Sequence, residues 1–343
     1  MENLLAYPGS AQGAFGDHRG WTAQNGWTNI ADYDRLRGTK IFLAQVSKAQ
    51  DALAKSVVGQ GVPLVNEFND DSGWAALANL RAYDAYGDKK YLDRAIGVWQ
   101  YLDTQTVQQK DIDKGYLEGT KNPNVKIAKS CNGKTLIGGT CKPKASHGGL
   151  NAVSTGLFAL LSAELCATTK DQAKYCSKAI TSAKWLDNHM KRPDGLMWDG
   201  LDSGSCGVTD WTFTYNTGLY ISAQALLGTL TGDAAYTANA ERTTKEAMIT
   251  PGWHAANGII KEGSGPAAGS DDGLGFKSVL VRGLYRSYDH FKDPELKSAV
   301  LEYINIQYYG LTQIAADSQT QPVKFGRNWS GPKFEVSTAH SQL

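Results

Sequence analysis

Apolar residues along the chain recur at helical spacing, as in Trp74, Leu77, Ala78, Leu80 and Tyr83, or Leu219, Tyr220, Ala223, Leu226 and Leu227. Sustained alternation of apolar and polar residues is scarce, which predicts an all-α protein with few strands. The helical stretches come in pairs. An amphipathic run, a turn carrying an aspartate and a second amphipathic run recur around Gly87-Asp88, Lys170-Asp171, Gly232-Asp233 and Lys292-Asp293, at intervals of roughly 60 to 80 residues. Each copy reads as a helical hairpin in which Gly closes the first helix and Asp caps the second. A degenerate fifth copy fits Arg37-Gly38-Thr39. The unit is too long for two average helices and two average loops, so every second loop must be extended. Val107 to Ser146, Lys191 to Thr214 and Thr250 to Gly275 are those loops, and Gly, Trp and Asp collect in them. Tight turns at one end and long loops at the other predict a closed ring of hairpins, an (α/α)6 toroid with a cleft at the long-loop mouth, as one domain over residues 1–343. An open helical solenoid is the alternative, and it gives no reason for aromatics to gather in alternate loops.

Composition narrows the partners. With 35 basic and 34 acidic side chains among 343 residues, the chain offers no basic field for a phosphate backbone, so nucleic acid is not an expected partner. No uninterrupted apolar run reaches the roughly 20 residues of a membrane helix. Met1 to Leu5 lacks the basic and apolar regions of a signal peptide. Cys131 with Cys141, and Cys166 with Cys176, each bracket a short segment and could close it as a disulfide, leaving Cys206 over or exchanging partners. Such pairing, with the sequon Asn328-Trp329-Ser330, suits a secreted or cell-wall protein. The 9 Trp and 16 Tyr, many in Gly-rich stretches, offer flat surfaces suited to sugar rings. A monomer is expected.

Several chemistries find no support. Gly133-Lys134-Thr135 lacks the earlier glycine of a phosphate loop, with Ala128 at that position. The histidines at 18, 147, 189, 254, 290 and 340 show no zinc spacing, and neither a serine-hydrolase elbow nor a dinucleotide fingerprint occurs. No metal and no cofactor are expected.

The sharpest local feature is Asn66-Glu67-Phe68-Asn69-Asp70-Asp71-Ser72-Gly73-Trp74, two adjacent carboxylates where a strong helix begins. One reading is capping, with Asn69 or Asp70 accepting free backbone N–H groups at the positive helix end. The other is catalysis. Adjacent Cα atoms lie about 3.8 Å apart, and diverging side chains can reach the roughly 5 to 5.5 Å carboxyl separation of retaining glycosidases. The wider gap of inverting enzymes, roughly 6.5 to 9.5 Å, is harder to reach from neighbouring residues. Asp271-Asp272, in a Gly-rich segment, reads as an Asx turn or as a rival dyad. Trp198-Asp199 and Trp211-Thr212-Phe213-Thr214-Tyr215-Asn216 could line a cleft or seal loops onto the helices.

Asn69-Asp70-Asp71-Ser72-Gly73-Trp74, followed by Leu80-Arg81-Ala82-Tyr83 and Gly87-Asp88, resembles the signature of glycoside hydrolase family 76, the endo-α-1,6-mannanases and their fungal cell-wall relatives. Also similar, in the expected order, are Gly148-Gly149, Asn151 to Leu157, Asp194 to Asp199, Trp211 to Gly218, Phe276-Lys277 with Arg282, and Phe325 to Pro332. The resemblance implies an (α/α)6 toroid and a retaining mechanism with Asp70 as nucleophile and Asp71 as acid/base. It implies α-1,6-linked mannan as substrate, with the Asn216 loop, Asp271, Asp272 and Lys277 lining the site. Asn69, Trp74, His147, Trp198, Asp199, Trp211, Tyr215 and Phe276 complete the candidate substrate-binding set. One departure is Leu150-Asn151 after Gly148-Gly149, where the family tends to place aromatic residues. A transglycosylase of the same fold and a non-catalytic carbohydrate-binding protein are the rival functions. An enzyme for acidic sugars is a weaker one, since Arg192 is the sole arginine of the long loops.

Overall fold

The computed structural model describes residue 5 and residues 9–15, 20–55, 61–142, 149–265, 270, 272–320 and 323–333. Among these, five helical hairpins follow one another: α1 (Gly20–Arg37) with α2 (Leu43–Lys55), and α3 (Asn69–Tyr86) with α4 (Lys89–Thr104). After the short α5 (Gln109–Lys114) come α6 (Ala152–Thr169) with α7 (Ser177–Trp185), α8 (Thr214–Thr231) with α9 (Ala234–Ile249), and α10 (Phe276–Ser287) with α11 (Pro294–Tyr309). The expected turn chemistry is present. Gly87 and Gly232 end α3 and α8 at φ 77° and 72°, and Asp88 and Asp233 cap the next helix by accepting from Lys90 N–H and Ala235 N–H. Lys170 takes the left-handed position after α6, at φ 62°.

The first helix of each hairpin faces the axis. α1 packs on α3, α3 on α6, α6 on α8 and α8 on α10. The ring closes between α10 and α1, where Arg282 donates to the side-chain carbonyls of Asn25 and Asn29 and Arg286 binds both carboxylate oxygens of Asp32 at 2.8 and 2.6 Å. α3, α6 and α8 are buried on nearly all sides, as inner helices must be, whereas α2, α4, α9 and α11 bury one stripe. This is the (α/α)6 toroidal fold, of which the described residues supply five complete hairpins. By length and composition α6 could cross a membrane, but 83% of it is buried in the protein, as befits a core helix.

The inner helices run parallel, with their N-termini at the mouth that carries the long loops. Small antiparallel strands brace those loops: β1 (Gly149–Asn151), β2 (Gly200–Asp202) and β3 (Val208–Thr209) form one sheet, while β4 (Ala316–Asp317) pairs with β5 (Lys324–Phe325). The disulfides are Cys166–Cys176, as expected, and Cys131–Cys206, which corrects the local pairing of Cys131 with Cys141. The Cys131–Cys206 bridge joins two long loops across 75 residues. Cys141 is instead drawn into backbone pairing, its N–H donating to the Gln105 carbonyl at 3.1 Å, and its thiol is buried.

Glycines set the spacing of α8 and α10. A Cβ at Gly218 would fall 2.7 Å from Leu280 Cα and 2.9 Å from the Val279 carbonyl oxygen, and one at Gly283 would fall 2.5 Å from the Gly218 oxygen. Gly218→Ala should therefore force the helices apart and cost about 1–3 kcal/mol. Gly97→Ala on α4 meets nothing closer than Val62 at 3.9 Å and should gain about 0.5–1 kcal/mol from helix propensity. Thermal melts of the two variants check the contrast; equal shifts would contradict this account of ring spacing.

Candidate active site

Asn69, Asp70 and Asp71 are the first three residues of α3. The helix start does not use them as caps: Phe68 is the N-cap residue and no side-chain cap bond forms. A strap holds this turn in place instead. Asn69 N–H donates to the Lys142 carbonyl at 2.8 Å, and Asn69 Nδ2 donates to the Cys141 carbonyl at 2.7 Å. Asn69 is thus buried as an anchor, and the two aspartates project from the positive end of the helix into a cleft of about 250 Å³. Trp21, Phe68, Trp74, Lys142, Tyr215, Asp272 and Phe276 complete its lining.

The two carboxyl groups have different surroundings. Asp70 Oδ1 is buried and, among the described residues, has no hydrogen-bond partner. Burial, with the neighbouring Asp71 charge adding to it, pushes the Asp70 carboxyl up to about 7 against the pull of Lys142 and of the first-turn N–H groups. Asp71 accepts from Asn66 Nδ2 at 3.0 Å. Its carboxyl is also raised, by burial first and then by Asp272 and Glu67. Gly20 brings the start of α1 against Asp71: at φ +56° its backbone suits glycine, and a Cβ there would lie 3.2 Å from Asp71 Oδ2. The dyad therefore sits in a field that retains a proton into the neutral range, as an acid/base pair requires.

The remaining wall is aromatic. Tyr215 stacks on Phe276 with ring centroids 4.0 Å apart, Phe276 meets Trp21 at 5.5 Å, and Trp21 meets Trp74 at 6.0 Å. The Trp21 indole N–H donates to Asp272 Oδ1 at 2.6 Å, tying α1 to the turn before α10. Phe213 extends the row to Trp211, which is 39% exposed. Phe68 is 41% exposed at the cleft, next to the dyad in sequence. Rings of this kind present apolar faces to a sugar while hydroxyl-binding groups stand between them.

The structure brings Asp70, Asp71, Trp74, Tyr215, Asp272 and Phe276 together in one lining. Asp199 and Asn216 form a buried pair behind it, with Asn216 Nδ2 donating to Asp199 Oδ1 at 3.1 Å. Lys277 is turned away from the cleft, buried near Glu262 and over the Trp329 ring, and burial lowers its ammonium to about 8. Trp198 is half-buried and outside the lining, while His147 and Asp271 lie outside the described residues. Trp21 and Lys142 were missed in sequence. Trp21 lies far from the other motifs, and Lys142 follows a cysteine with no pattern of its own. Among the described residues no group of His, Cys, Asp and Glu could hold a metal ion.

A helical toroid with an adjacent carboxylate pair at the N-terminus of an inner helix, facing an aromatic cleft, defines a glycosidase-type architecture. The sequence profile of glycosyl hydrolase family 76 matches residues 125–343, and the chain belongs to that family. The α-1,6-mannanase from Salegentibacter sp. HEL1_6 is similar in structure, with a TM-score of 0.77 and 22% identity, over 96% of this chain and 89% of that one. An inactive variant of that mannanase, with two adjacent aspartates replaced by alanine, has been solved in complex with α-1,6-mannotetrose. The family 76 mannosidase from Bacteroides thetaiotaomicron VPI-5482 matches at 0.68 and 16% identity, over 97% and 85% of the two chains. Dfg5 from Chaetomium thermophilum, solved with glucosamine, matches at 0.73 and 16% identity, over 96% and 77%. No curated protein matches the chain.

The raised Asp70 carboxyl has a consequence for stability. Between the ordinary value of 3.8 and about 7 the folded chain keeps a proton that the unfolded chain has lost, so stability falls as pH rises through this window. Asp70→Asn removes the linkage and should raise the melting temperature near pH 7, with the gain shrinking toward about pH 4. Melts across that range test this. A gain independent of pH would contradict it.

Proposed function

We propose that this chain is a retaining glycoside hydrolase that cleaves α-1,6-mannosidic bonds. The observation that carries the reading is the adjacent pair Asp70 and Asp71, neither of them the N-cap residue of α3, facing an aromatic cleft. The same adjacency occurs in the aspartates replaced in the inactive Salegentibacter mannanase solved with α-1,6-mannotetrose. In the first step Asp70 attacks C1 of the mannosyl unit, the bond from C1 to the leaving oxygen breaks, and Asp71 gives that oxygen its proton. In the second, Asp71 takes a proton from water as the water oxygen attacks C1, and the ester to Asp70 breaks. Tyr215, Phe276, Trp21 and Trp74 supply ring surfaces for the sugar, and Asp272 supplies a hydroxyl acceptor. Two disulfides and an exposed Asn328 in the sequon favour a secreted or cell-wall setting.

The likeness to Dfg5 favours a second reading, a transglycosylase using the same dyad with a sugar hydroxyl in place of water. The two differ in what occupies the acceptor side when the covalent intermediate breaks.

Incubation with unbranched α-1,6-mannan, followed by mass spectrometry, tests both. Wild type should release mannose oligomers, Asp70→Asn should release none, and Asp71→Asn should lose about 10²–10⁴-fold in rate. Products lengthened only when an acceptor is added would select the transglycosylase. Wild-type turnover in either folded variant would sink the mechanism. Because Asp71 must hold its proton to act as the acid, and burial, Asp272 and Glu67 raise its carboxyl, the fall of kcat/KM with rising pH should set in above the ordinary carboxylate range.

A further inference from the structure

The inner helices α1, α3, α6, α8 and α10 end at the mouth opposite the dyad, and residues toward those ends surround a second cavity of about 360 Å³, larger than the cleft. Its size falls in the range of small-molecule pockets. Buried Arg81 and Glu164, with Arg286 beside them, form the floor, while Arg35, Asp84 and Asp289 stand exposed at the rim. The void of about 20 Å³ between Trp74 and Arg81 has room for about one water, so a sugar in the cleft does not reach the rear cavity through it.

Closure of the ring engages only part of the hydrogen-bonding capacity gathered at this end. Arg35 donates through Nε to Asp32 at 3.3 Å, and among the described residues no hydrogen bond engages its two terminal nitrogens. Arg286 binds Asp32 through Nη2, whereas its Nη1 stands 3.9 Å from Glu164 Oε1, beyond hydrogen-bond reach. Asp84 accepts from Arg81 through Oδ2 alone. Glu164 Oε2 has no hydrogen-bond partner among the described residues, and no hydrogen bond or ion pair engages the Asp289 carboxylate there.

The open donors and acceptors select a class of ligand. Three guanidinium groups, of Arg35, Arg81 and Arg286, face three carboxylates, of Asp84, Glu164 and Asp289, and burial lowers the His290 imidazole so that it adds no charge near pH 7. A phosphate or an ammonium ion would meet as many like charges as opposite ones. A hydroxyl group both accepts and donates, so neighbouring hydroxyls on a ring can take hydrogen bonds from a guanidinium and give them to a carboxylate. The exposed ring of Tyr285 and the side chain of Leu226 add an apolar surface for the face of such a ring. We propose that this rear cavity binds a short neutral saccharide, at a site separate from the cleft and independent of Asp70 and Asp71.

Leucine methyl groups report on the rear cavity separately from the cleft. Leu36, Leu80, Leu160 and Leu226 line the cavity, and among the described residues no leucine lines the cleft. In ¹H–¹³C NMR of leucine-labelled protein, the Leu226 signal, identified by its loss in Leu226→Ile, should shift saturably with mannose or glucose. It should do so equally in wild type and in Asp70→Asn, and α-1,6-mannobiose should act alike in Asp70→Asn. Arg35→Ala and Asp289→Asn, both at the exposed rim, should each weaken binding about threefold to tenfold. Ala167→Trp, which fills the cavity from α6, should abolish the shift while the remaining methyl signals keep their folded dispersion. Absence of a saturable shift of these methyls with all three sugars overturns the proposal. So does tighter binding of glucuronate or of protonated glucosamine, which would contradict the balance of charge, or binding that survives all three cavity variants unchanged. Saturable binding in a protein that leaves mannan intact upholds the rear site and counts against the hydrolase reading alone.

Discussion

Buried guanidinium groups hold the first and last inner helices together, and the site depends on that closure. Arg286 grips Asp32, Arg282 reaches Asn25 and Asn29, and Arg81 is bound to Glu164 and to Asp84, linking α3 to its neighbour α6. Charges taken this far from water are tolerated only when paired or hydrogen-bonded, and removing one partner leaves the other stranded. Such groups make poor general glue and good registration devices. They require α1 to sit at one height against α10, and that height puts Trp21 against Phe276 and Gly20 against Asp71. The Arg282 guanidinium also lies over Trp74 at 5.8 Å, beneath the floor of the cleft, so ring closure and cleft floor share a contact.

With the inner helices in register, their N-termini converge on one mouth, and the dyad occupies the end of one of them. Two carboxylates there gain from the helix dipole and lose from burial and from each other. Burial wins, as the raised Asp70 shows, and one oxygen of its carboxyl has no hydrogen-bond partner among the described residues. The strap through Asn69, Cys141 and Lys142 holds this turn in place.

The hairpin count, the turns at Gly87-Asp88 and Gly232-Asp233, and the placement of long loops at one mouth were legible in the sequence, because they follow from 3.6-residue periodicity and from the φ and capping preferences of single residues. Such preferences act over a few residues. The Cys131–Cys206 bridge was not legible, since proximity in sequence favours Cys141 and only the packing of two loops brings Cys206 nearer. Lys277 misled for a similar reason: it follows Phe276, which faces the cleft, yet one step along a helix turns a side chain by about 100°.

By itself, then, the sequence determined an all-α chain of paired helices and marked Asp70-Asp71 as a feature with two meanings, cap or catalyst. Only the tertiary structure shows that the N-cap residue is Phe68, with no side-chain cap bond. Capping is a bond to the helix's own amides, and whether it forms depends on what else holds that end. Here Lys142 and Cys141, some 70 residues away, supply that hold and leave the carboxyl groups facing Trp21, Tyr215 and Asp272 from three other segments. Contacts between distant segments set the field at a carboxylate, and no local pattern records them.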